Sequence, residues 1–456
     1  MALAAWGSPS KSILNEFSFC AYNYTGLKMS HYPLVVIGAG AAGLGASELA
    51  TKNGVQHVVL EASHRIGGRG LTEMLEEQYP VDLGCHWMHS ASVNPYVKWA
   101  DQFGFFYETN KTATAADAKI ISEKGEDGQA AGKSKLMHFD GQWLTKSDEI
   151  DYALHLSRFD QRVDELAKEG KDCALWDAMD QDSRWTQYQA YWLSLLHSND
   201  PDEVSILDQS NYLETEEDYP LREGYGALIS EQGRRCPVEL NIAVLAIKWG
   251  GPLVQIETNK GVITADKIVL TISTGILAAN DIEFTPALPL YKLEAIHALP
   301  MGNYNNLFFS FEGIDPEVSS QVQYSDAKIA GSIMMQPFGK PYAFTSVAGR
   351  FAWWLEKQGP QASEQYFREL LINVYGSGIN KRIRQYKGSA WGYDSWVKGA
   401  YSSAKPGFGH IREVLAQSID ERLFFAGEAT SLDALNTAHG AYLSGKRAFC
   451  EIYGQA

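Results

Sequence analysis

At residues 34–43 this chain reads Leu34-Val35-Val36-Ile37-Gly38-Ala39-Gly40-Ala41-Ala42-Gly43. Its first four residues are apolar and largely β-branched, which is typical of a short buried parallel strand. Gly38 allows a tight turn, Gly40 lets the backbone approach a pyrophosphate, and Gly43 allows the following helix to pack closely on the strand. The start of that helix, at Ala42, offers free N–H groups and a positive dipole end to phosphates. The run therefore predicts the first turn of a dinucleotide-binding domain.

A second strand and an acid follow this turn. Val58-Val59-Leu60-Glu61 is again apolar and ends in a carboxylate. At the end of a second strand, Glu61 can accept hydrogen bonds from both ribose hydroxyls and would repel a 2′-phosphate. Strand, helix, strand and acid in register predict an α/β chain with a doubly wound, Rossmann-like sheet that binds a nucleotide.

A second signature of the same kind stands toward the other end of the sequence. Leu423-Phe424-Phe425-Ala426-Gly427-Glu428-Ala429-Thr430 precedes the small-residue segment Ala438-His439-Gly440-Ala441-Tyr442-Leu443-Ser444-Gly445. A single short NAD-binding domain would carry only the first signature. The pair predicts one FAD whose two halves are held by segments far apart in the chain.

These segments, and others between them, resemble those of the flavin-containing amine oxidases. Residues 61–69 resemble the stretch that this family places along the pyrophosphate and flavin, and residues 81–87 resemble the segment that follows it. Residues 239–244 resemble the strand whose valine meets adenine, and residues 265–272 resemble a strand that runs toward the cofactor. The resemblance covers residues from about 33 to 450 and implies FAD as the cofactor. The cofactor-binding residues that it implies are Gly38, Gly40, Ala42, Gly43, Glu61, Ala62, Arg69, Gly84, His86, Trp87, Val244, Thr271, Trp391, Gly427, Glu428, Thr437 and Ala438.

Residues 391–394 and 399–401 resemble the substrate-side segment of the same family. On that match Trp391 lies against the flavin and Tyr401 forms one wall of an aromatic cage for the amine. The family's second cage tyrosine matches Thr437, which leaves the cage open on one side and favours a larger substrate or one held by hydrogen bonds. The cysteine that carries a covalent flavin in the mitochondrial monoamine oxidases matches Ala400. Since alanine cannot form a thioether, we expect non-covalent FAD.

Residues 301–311 match the segment in which most members place a lysine that holds a water at flavin N5. Asn306 occupies that position, and an amide can still hold a water but carries no positive charge. We therefore expect slow reoxidation of the flavin by oxygen, or another electron acceptor. The expected catalytic residues are Trp391, Tyr401, Asn306 and Thr437.

Other polar residues are weaker candidates. His86, His89 and His197 are each able to face the pocket, although a given histidine is more often a satisfied structural residue. The acidic run at residues 214–218 is able to attract a polyamine at an entrance, although a solvated loop is the commoner explanation.

Composition limits the partners of the chain. Its 39 basic and 55 acidic residues give a formal net charge of −16, which argues against nucleic acid and mildly favours a cationic substrate. The 5 cysteines lack CxxC spacing, which indicates reduced thiols in the cytoplasm. There is no run of 18 apolar residues, and no His, Cys or carboxylate spacing resembles a metal site. We expect a cytoplasmic protein with no metal and no membrane partner, and a homodimer is a further expectation.

With 456 residues the chain exceeds what one hydrophobic core usually serves, so we expect two domains. A discontinuous FAD-binding domain is expected at 33–110, 224–285 and 407–456, and an inserted, mixed α+β substrate-binding domain at 111–223 and 286–406. Residues 1–32 are interpreted as an N-terminal extension. Residues 111–135 show no apolar period and are expected to form a mobile connection. In the helical stretch from about 147 to 200, the residues expected on one apolar face are Ile150, Ala153, Leu154, Leu156 and Phe159. Alternating strands at 254–257 and 261–263 are expected to form a hairpin around Asn259-Lys260, and a helix is expected near 362–375.

The leading functional hypothesis is oxidation of a small amine or polyamine to an imine, which water hydrolyses to a carbonyl product. An L-amino-acid oxidase is an alternative, and it would need an arginine such as Arg350 or Arg222 to grip the substrate carboxylate. A second alternative is an amine dehydrogenase that passes electrons to a carrier instead of oxygen. A third is a flavin-binding protein with impaired catalysis, and Asn306 is the feature that raises it.

Overall fold

In the computed structural model of this chain the described residues are 30–109, 135–313, 321–326 and 329–454. Their strands are β1 His31–Ile37, β2 His57–Leu60, β3 Thr72–Leu75, β4 Tyr79–Asp82, β5 Trp87–Met88, β6 Lys135–Phe139, β7 Gln142–Trp143, β8 Tyr219–Pro220, β9 Val238–Glu239, β10 Val244–Lys248, β11 Val254–Thr258, β12 Gly261–Leu270, β13 Glu283–Thr285, β14 Tyr304–Phe311, β15 Gln321–Ser325, β16 Ala330–Met335, β17 Tyr342–Ala348, β18 Ile383–Gly388 and β19 Leu423–Phe425. Their α-helices are α1 Ala41–Lys52, α2 Pro95–Phe103, α3 Lys146–Lys168, α4 Thr186–His197, α5 Ile206–Ser210, α6 Tyr225–Gly233, α7 Thr274–Ala278, α8 Leu290–Ala298, α9 Gly349–Gln358, α10 Pro360–Tyr375, α11 Ile411–Ala416 and α12 Ala438–Tyr453.

The first nucleotide signature forms the centre of an eight-stranded sheet with the order β13-β10-β11-β12-β1-β2-β9, in which β19 also pairs with β12. Strand β1 is parallel to both β2 and β12, and β19 is parallel to β12. The first half of β12 turns back antiparallel on β11 around residues 259–260. The expected α/β fold with a parallel nucleotide-binding sheet is confirmed, and so is the hairpin.

Two helices with small residues pack against each other beside this sheet. A Cβ on Gly45 of α1 would lie 2.2 Å from the carbonyl oxygen of Tyr442, and one on Gly445 of α12 would lie 1.9 Å from that of Ala42. Only glycine permits such an approach of two backbones. The close crossing brings the N-terminal ends of α1 and α12 to the same side of the sheet.

The second sheet has seven strands in the order β18-β14-β17-β16-β15-β6-β7. Its strands are antiparallel to their neighbours except for the parallel pair β15 and β6. Helix α10 covers one face, where Phe367 stacks on Phe309 of β14 with ring centroids 5.1 Å apart. This mixed part of the chain agrees with the expected α+β architecture.

The expected apolar face of the first long helix is right at Phe159 and wrong at Ile150 and Leu154. In α3 the buried side chains are His155, Phe159, Val163 and Leu166. Ile150 and Leu154 are exposed, at 59% and 51%. A helix keeps one face through a spacing of three and four residues, and the tertiary contacts of α3 select the stripe that starts at His155.

The two sheets draw on separate stretches of sequence, which supports the two-domain division as a proposal. Strand β1 begins at His31, two positions before the proposed boundary at 33. Residues 1–29 of the proposed extension, and residues 111–134 of the proposed mobile connection, lie outside the described residues. No described helix is long and apolar enough to cross a membrane.

Candidate active site

One large cavity, of about 1850 Å³, runs from the nucleotide signature of the first sheet to the face of the second sheet. Both ends of the chain contribute to its wall, because the N-terminal turns of α1 and α12 meet there. The expected site residues that line it are Gly38, Gly40, Ala42, Glu61, Ala62, Arg69, Gly84, His86, Trp87, Val244, Thr271, Trp391, Tyr401, Gly427, Glu428, Thr437 and Ala438. Gly43 and Asn306 are the two that do not.

The glycine turn has the form that a pyrophosphate needs. Gly38 has a φ of +105°, and a Cβ on it would lie 2.6 Å from the hydroxyl oxygen of Thr271. Gly43 faces away from the cavity, and a Cβ on it would lie 1.9 Å from the carbonyl oxygen of Gly38. Gly40 precedes α1 without a side-chain cap, so the N–H groups of the first helical turn stay free for an anion.

Glu61 lies where a ribose would meet the end of the second strand. Its carboxylate is 8% exposed. One oxygen accepts a hydrogen bond from the backbone N–H of Ala39 at 2.7 Å, and the other accepts one from that of Ser63 at 2.9 Å. These bonds orient the carboxylate at the cavity wall and leave lone pairs on both oxygens for ribose hydroxyls.

A buried ion network holds the opposite wall. Arg69 donates to Glu428 at 2.9 Å and to the carbonyl oxygen of Ala400 at 2.7 Å. The other oxygen of Glu428 accepts a hydrogen bond from the hydroxyl of Ser402 at 2.8 Å. Arg412, 1% exposed, donates to the carbonyl oxygen of Glu428 at 3.2 Å. The network fixes Glu428 at the cavity surface without leaving a buried charge unpaired.

Three aromatic side chains, Trp391, Tyr401 and Tyr304, form what we call the cage. The ring centroids of Tyr304 and Tyr401 are 5.8 Å apart at a tilt of 44°. Trp391 is 5% exposed, and its indole N–H donates to the carbonyl oxygen of Leu83 at 2.8 Å. The hydroxyl of Tyr401 donates to the carbonyl oxygen of Leu195. The cage is therefore held by hydrogen bonds as well as by packing.

Sequence reasoning missed Tyr304 as a member of the cage. A signal was present, because side chains two apart on a strand share a face and Tyr304 stands two positions before Asn306. Its hydroxyl donates to that of Ser346 at 2.8 Å. Thr437 was expected to leave the cage open, and it also caps α12 by accepting the N–H of Gly440 at 3.0 Å.

The expected catalytic role of Asn306 needs correction. Its side chain is fully buried and does not line the cavity. Its amide donates to the carbonyl oxygens of Asp82 at 3.0 Å and Gly84 at 3.1 Å, and its oxygen accepts the hydroxyl of Ser346 at 2.7 Å. Because both N–H groups are engaged, the amide has no donor left for a water at the flavin. In this structure Asn306 positions the loop that carries Gly84 and His86.

The three candidate histidines all line the cavity. Burial lowers the pKa of His86 to about 3 and that of His197 to about 4, so both are neutral at pH 7. His89 differs, because the carboxylate of Asp218, 2.8 Å from its ring nitrogen, outweighs burial and raises its pKa.

Part of the acidic run at residues 214–218 faces the cavity. Glu214 and Asp218 line the cavity, whereas Glu216 and Glu217 do not. Elsewhere, Asp200, Asp202 and Glu203 come within metal-ligand distance of one another, but Arg350 already pairs with Asp200 at 2.5 Å and with Asp202 at 2.7 Å.

The residues at the first-sheet end of the cavity fit FAD. The glycine turn leaves room for a backbone-bound pyrophosphate, Glu61 supplies the acid for a ribose, and the two helix N-termini face the same space. The cavity also extends beyond the nucleotide end to the cage, which leaves room for a substrate.

Comparisons with known proteins agree with this geometry. The profile of the family described as flavin containing amine oxidoreductase matches residues 41–453. Polyamine oxidase 3 of Oryza sativa subsp. japonica is 28% identical over 447 residues, which cover 92% of this chain and 88% of that protein. Lysine-specific histone demethylase 1 homolog 3 of the same organism is 27% identical over 459 residues, which cover 92% of this chain and 54% of that protein. The chain thus spans about half the length of that demethylase.

A solved structure of a putrescine oxidase double mutant with redesigned cofactor binding has the same fold. The TM-score is 0.73 over 93% of this chain and 99% of that chain, at 15% identity. The position of Ala400 in this chain offers no sulfur for a thioether, which agrees with non-covalent FAD. Because the family profile spans nearly all of the described residues, this chain belongs to the flavin-containing amine oxidoreductases and is an FAD-dependent amine oxidoreductase.

Proposed function

We propose that this protein oxidises a small diamine or polyamine to an imine, which water hydrolyses to a carbonyl product. The observation that carries the proposal is a cage of three aromatic rings in a cavity whose wall also contains the carboxylates of Glu214 and Asp218. When bound, FAD supplies the redox chemistry by accepting a hydride equivalent from the carbon beside the amine nitrogen. The side chains of the cavity bind and orient the amine.

The cage suits an amine in both of its protonation states. Aromatic faces attract an arriving ammonium by about 0.5–2 kcal/mol. Hydride loss from carbon requires the nitrogen lone pair, so the ammonium proton must leave before or during the reaction. Trp391, Tyr304 and Tyr401 are rigidly held, which supports a role in orienting the reacting carbon.

The carboxylates favour a second positive charge on the substrate. Glu214 is oriented by the backbone N–H of Glu216 at 2.7 Å, and Asp218 is held by His89. An ammonium at the far end of a diamine would find two acids there. A monoamine of the same length has no second ammonium, so these two carboxylates would stay hydrated.

The amino-acid oxidase alternative is less well supported. Arg350 is paired with Asp200 and Asp202, and Arg222 is paired with Glu223 at 2.7 Å. Neither lines the cavity. The arginines among the described lining residues are Arg65, which donates to the carbonyl oxygen of Gly70 at 3.3 Å, and Arg69, which is bound to Glu428. A substrate carboxylate would therefore lack a free partner beside the cage.

The electron acceptor, the oligomeric state and the compartment belong to the proposal as well. Oxygen or another acceptor would reoxidise the flavin, and slow reaction with oxygen is expected because no lysine stands at position 306. A cytoplasmic homodimer is proposed, and the free state of the cysteines at 85, 173, 236 and 450 supports a reducing compartment.

A matched pair of amines tests the proposed substrate class. Under anaerobic conditions, we expect the second-order rate constant of flavin reduction to be higher for 1,4-diaminobutane than for butylamine. Glu214→Gln should reduce that preference about three- to tenfold, because an amide replaces a charged acceptor. Glu217→Gln, a neighbour outside the cavity wall, is the control and should leave it unchanged. No preference for the diamine in the wild type would contradict the proposal.

A further inference from the structure

The last residue of helix α4, His197, has no role in the cage or in the FAD contacts. Its side chain lines the cavity and is 2% exposed. Neither ring nitrogen makes a hydrogen bond of standard geometry with a described residue, although a weaker interaction with the side chain of Gln209 raises the pKa of the ring. A buried polar group is normally satisfied, so an unpartnered imidazole at a cavity wall points to a ligand atom.

Two other buried histidines of the described chain show the usual arrangement. His155 is paired with the amide oxygen of Gln189 at 2.8 Å, and His57 is bonded to the hydroxyl of Ser47 at 2.8 Å. His197 differs from these two because neither of its ring nitrogens has a hydrogen bond of standard geometry.

The backbone holds His197 against the cage. The hydroxyl of Tyr401 donates to the carbonyl oxygen of Leu195, and the hydroxyl of Ser198 donates to that of Tyr401 at 2.8 Å. The carbonyl oxygen of His197 accepts the hydroxyl of Ser403 at 2.6 Å. These hydrogen bonds connect the C-terminal end of α4 to the segment that carries Tyr401.

The charges around His197 keep its imidazole neutral. Burial lowers its pKa to about 4, and the guanidinium of Arg412 adds to this, whereas the carboxylate of Asp208 and the side chain of Gln209 oppose it. Arg412 also donates to Asn436 at 3.2 Å, beside Thr437. His197 and Thr437 both line the cavity. A neutral imidazole offers one N–H donor and one lone pair.

We propose that His197 is a substrate-positioning residue whose ring nitrogen accepts a hydrogen bond from the N–H of the amine held in the cage. This inference rests on the proposed amine-oxidising function. It names the substrate class more closely, as primary or secondary amines with an N–H to donate. Accepting from the N–H leaves the nitrogen lone pair available for hydride loss from the neighbouring carbon, and a tertiary amine has no N–H once it is neutral.

Two symmetric probes separate this role from packing. N,N′-dimethyl-1,4-diaminobutane has secondary nitrogens only, and N,N,N′,N′-tetramethyl-1,4-diaminobutane has tertiary nitrogens only. Anaerobic stopped-flow reduction of the holoenzyme gives the dissociation constant and the reduction rate for each probe. FAD content and the midpoint of thermal unfolding are recorded for every variant.

His197→Phe should lower the ratio of rate to dissociation constant about tenfold for the secondary diamine, because one hydrogen bond is lost. It should change that ratio less than about twofold for the tertiary diamine, and His197→Gln should recover most of the loss. His155→Gln is the control and should alter neither ratio. If His197→Phe fails to retain FAD, His197→Leu replaces it in the same test.

Equal losses for the two diamines, or no loss for either, would overturn the inference and leave the proposed function in place. A wild-type flavin that stays oxidised with both probes and with 1,4-diaminobutane would overturn both.

Discussion

Asn306 matches the position at which most family members place a lysine, and in this structure its amide has a structural role. It joins β14 to the loop that follows β4 through the carbonyl oxygens of Asp82 and Gly84. Removing a buried donor leaves two buried carbonyls unsatisfied, at a cost of about 1–3 kcal/mol.

We predict that Asn306→Ala lowers the free energy of unfolding by about this amount. Asn306→Asp should lower it further, because a carboxylate would face two carbonyl oxygens. Urea denaturation of the holoenzyme measures both, with the exposed Asn53→Ala as the control. Unchanged stability in Asn306→Asp would show that the amide is not held as described.

Glu61 carries the residue-scale prediction for the cofactor. Glu61→Ala should raise the dissociation constant of FAD about ten- to hundredfold, since charge-assisted hydrogen bonds to ribose are lost. Glu73→Ala removes an exposed acid that pairs with Lys387 at 2.7 Å, and it should leave FAD affinity unchanged. Fluorescence titration of the apoprotein with FAD gives both constants. Full affinity in Glu61→Ala would place the ribose elsewhere.

The roles of some single residues could be predicted from the sequence, and those of others could not. The roles of Gly38 and Gly43 follow from backbone geometry, which a local motif specifies, and the structure gives both the expected close contacts. His197 was a candidate in the sequence and Tyr304 was missed, and only the tertiary structure shows their partners and exposure, because these depend on segments distant in sequence. Asn306 lies on β14, and the two carbonyl oxygens to which its amide donates lie more than 200 positions away.

At the scale of elements, Asp82 ties the hairpin β3–β4 to the start of helix α6. Its carboxylate accepts the backbone N–H groups of Tyr225 at 2.8 Å and Gly226 at 3.1 Å, and the hydroxyl of Thr72 at 2.5 Å. Burial raises the pKa of this carboxyl to about 6 despite those donors. The folded chain therefore holds the proton more tightly than the unfolded chain between about pH 4 and 6.

The sign of the pH dependence follows. The stabilisation that Asp82 gains from its raised pKa is present below about pH 4 and is lost as the pH rises through about 6. We predict that the free energy of unfolding of the wild type, minus that of Asp82→Asn, falls by about 1–3 kcal/mol across this window. Urea titrations at a series of pH values measure this difference. A flat or rising difference would contradict the prediction.

Element positions followed the sequence pattern where local signals were strong. The hairpin β11–β12 was expected from alternation around Asn259-Lys260, and a helix was expected near the residues of α10. Helix α3 was found, but its buried face was expected only in part, because Ile150 and Leu154 satisfy the helical spacing as well as the buried Phe159 does. Only the packing partners of α3 decide between two stripes of the same period.

At the scale of the whole molecule, a buried ion pair links the parts that we propose as two domains. Arg412 of α11 donates to both oxygens of Asp208 of α5, at 2.6 and 2.9 Å. No motif contains the two residues, and they stand 204 positions apart, so sequence alone could not pair them. The pair sits beside Glu428 and His197, and thus couples the cofactor wall to the substrate wall.

The central claim is that amines, bound in the cage, reduce the FAD of this protein. The most direct measurement is the anaerobic absorbance spectrum of the purified holoenzyme after addition of 1,4-diaminobutane, butylamine or a mixture of L-amino acids. Bleaching of the oxidised flavin band by amines, fastest with the diamine, is the predicted result. Bleaching by L-amino acids while the amines leave the band unchanged, or no bleaching by either class, would contradict the claim.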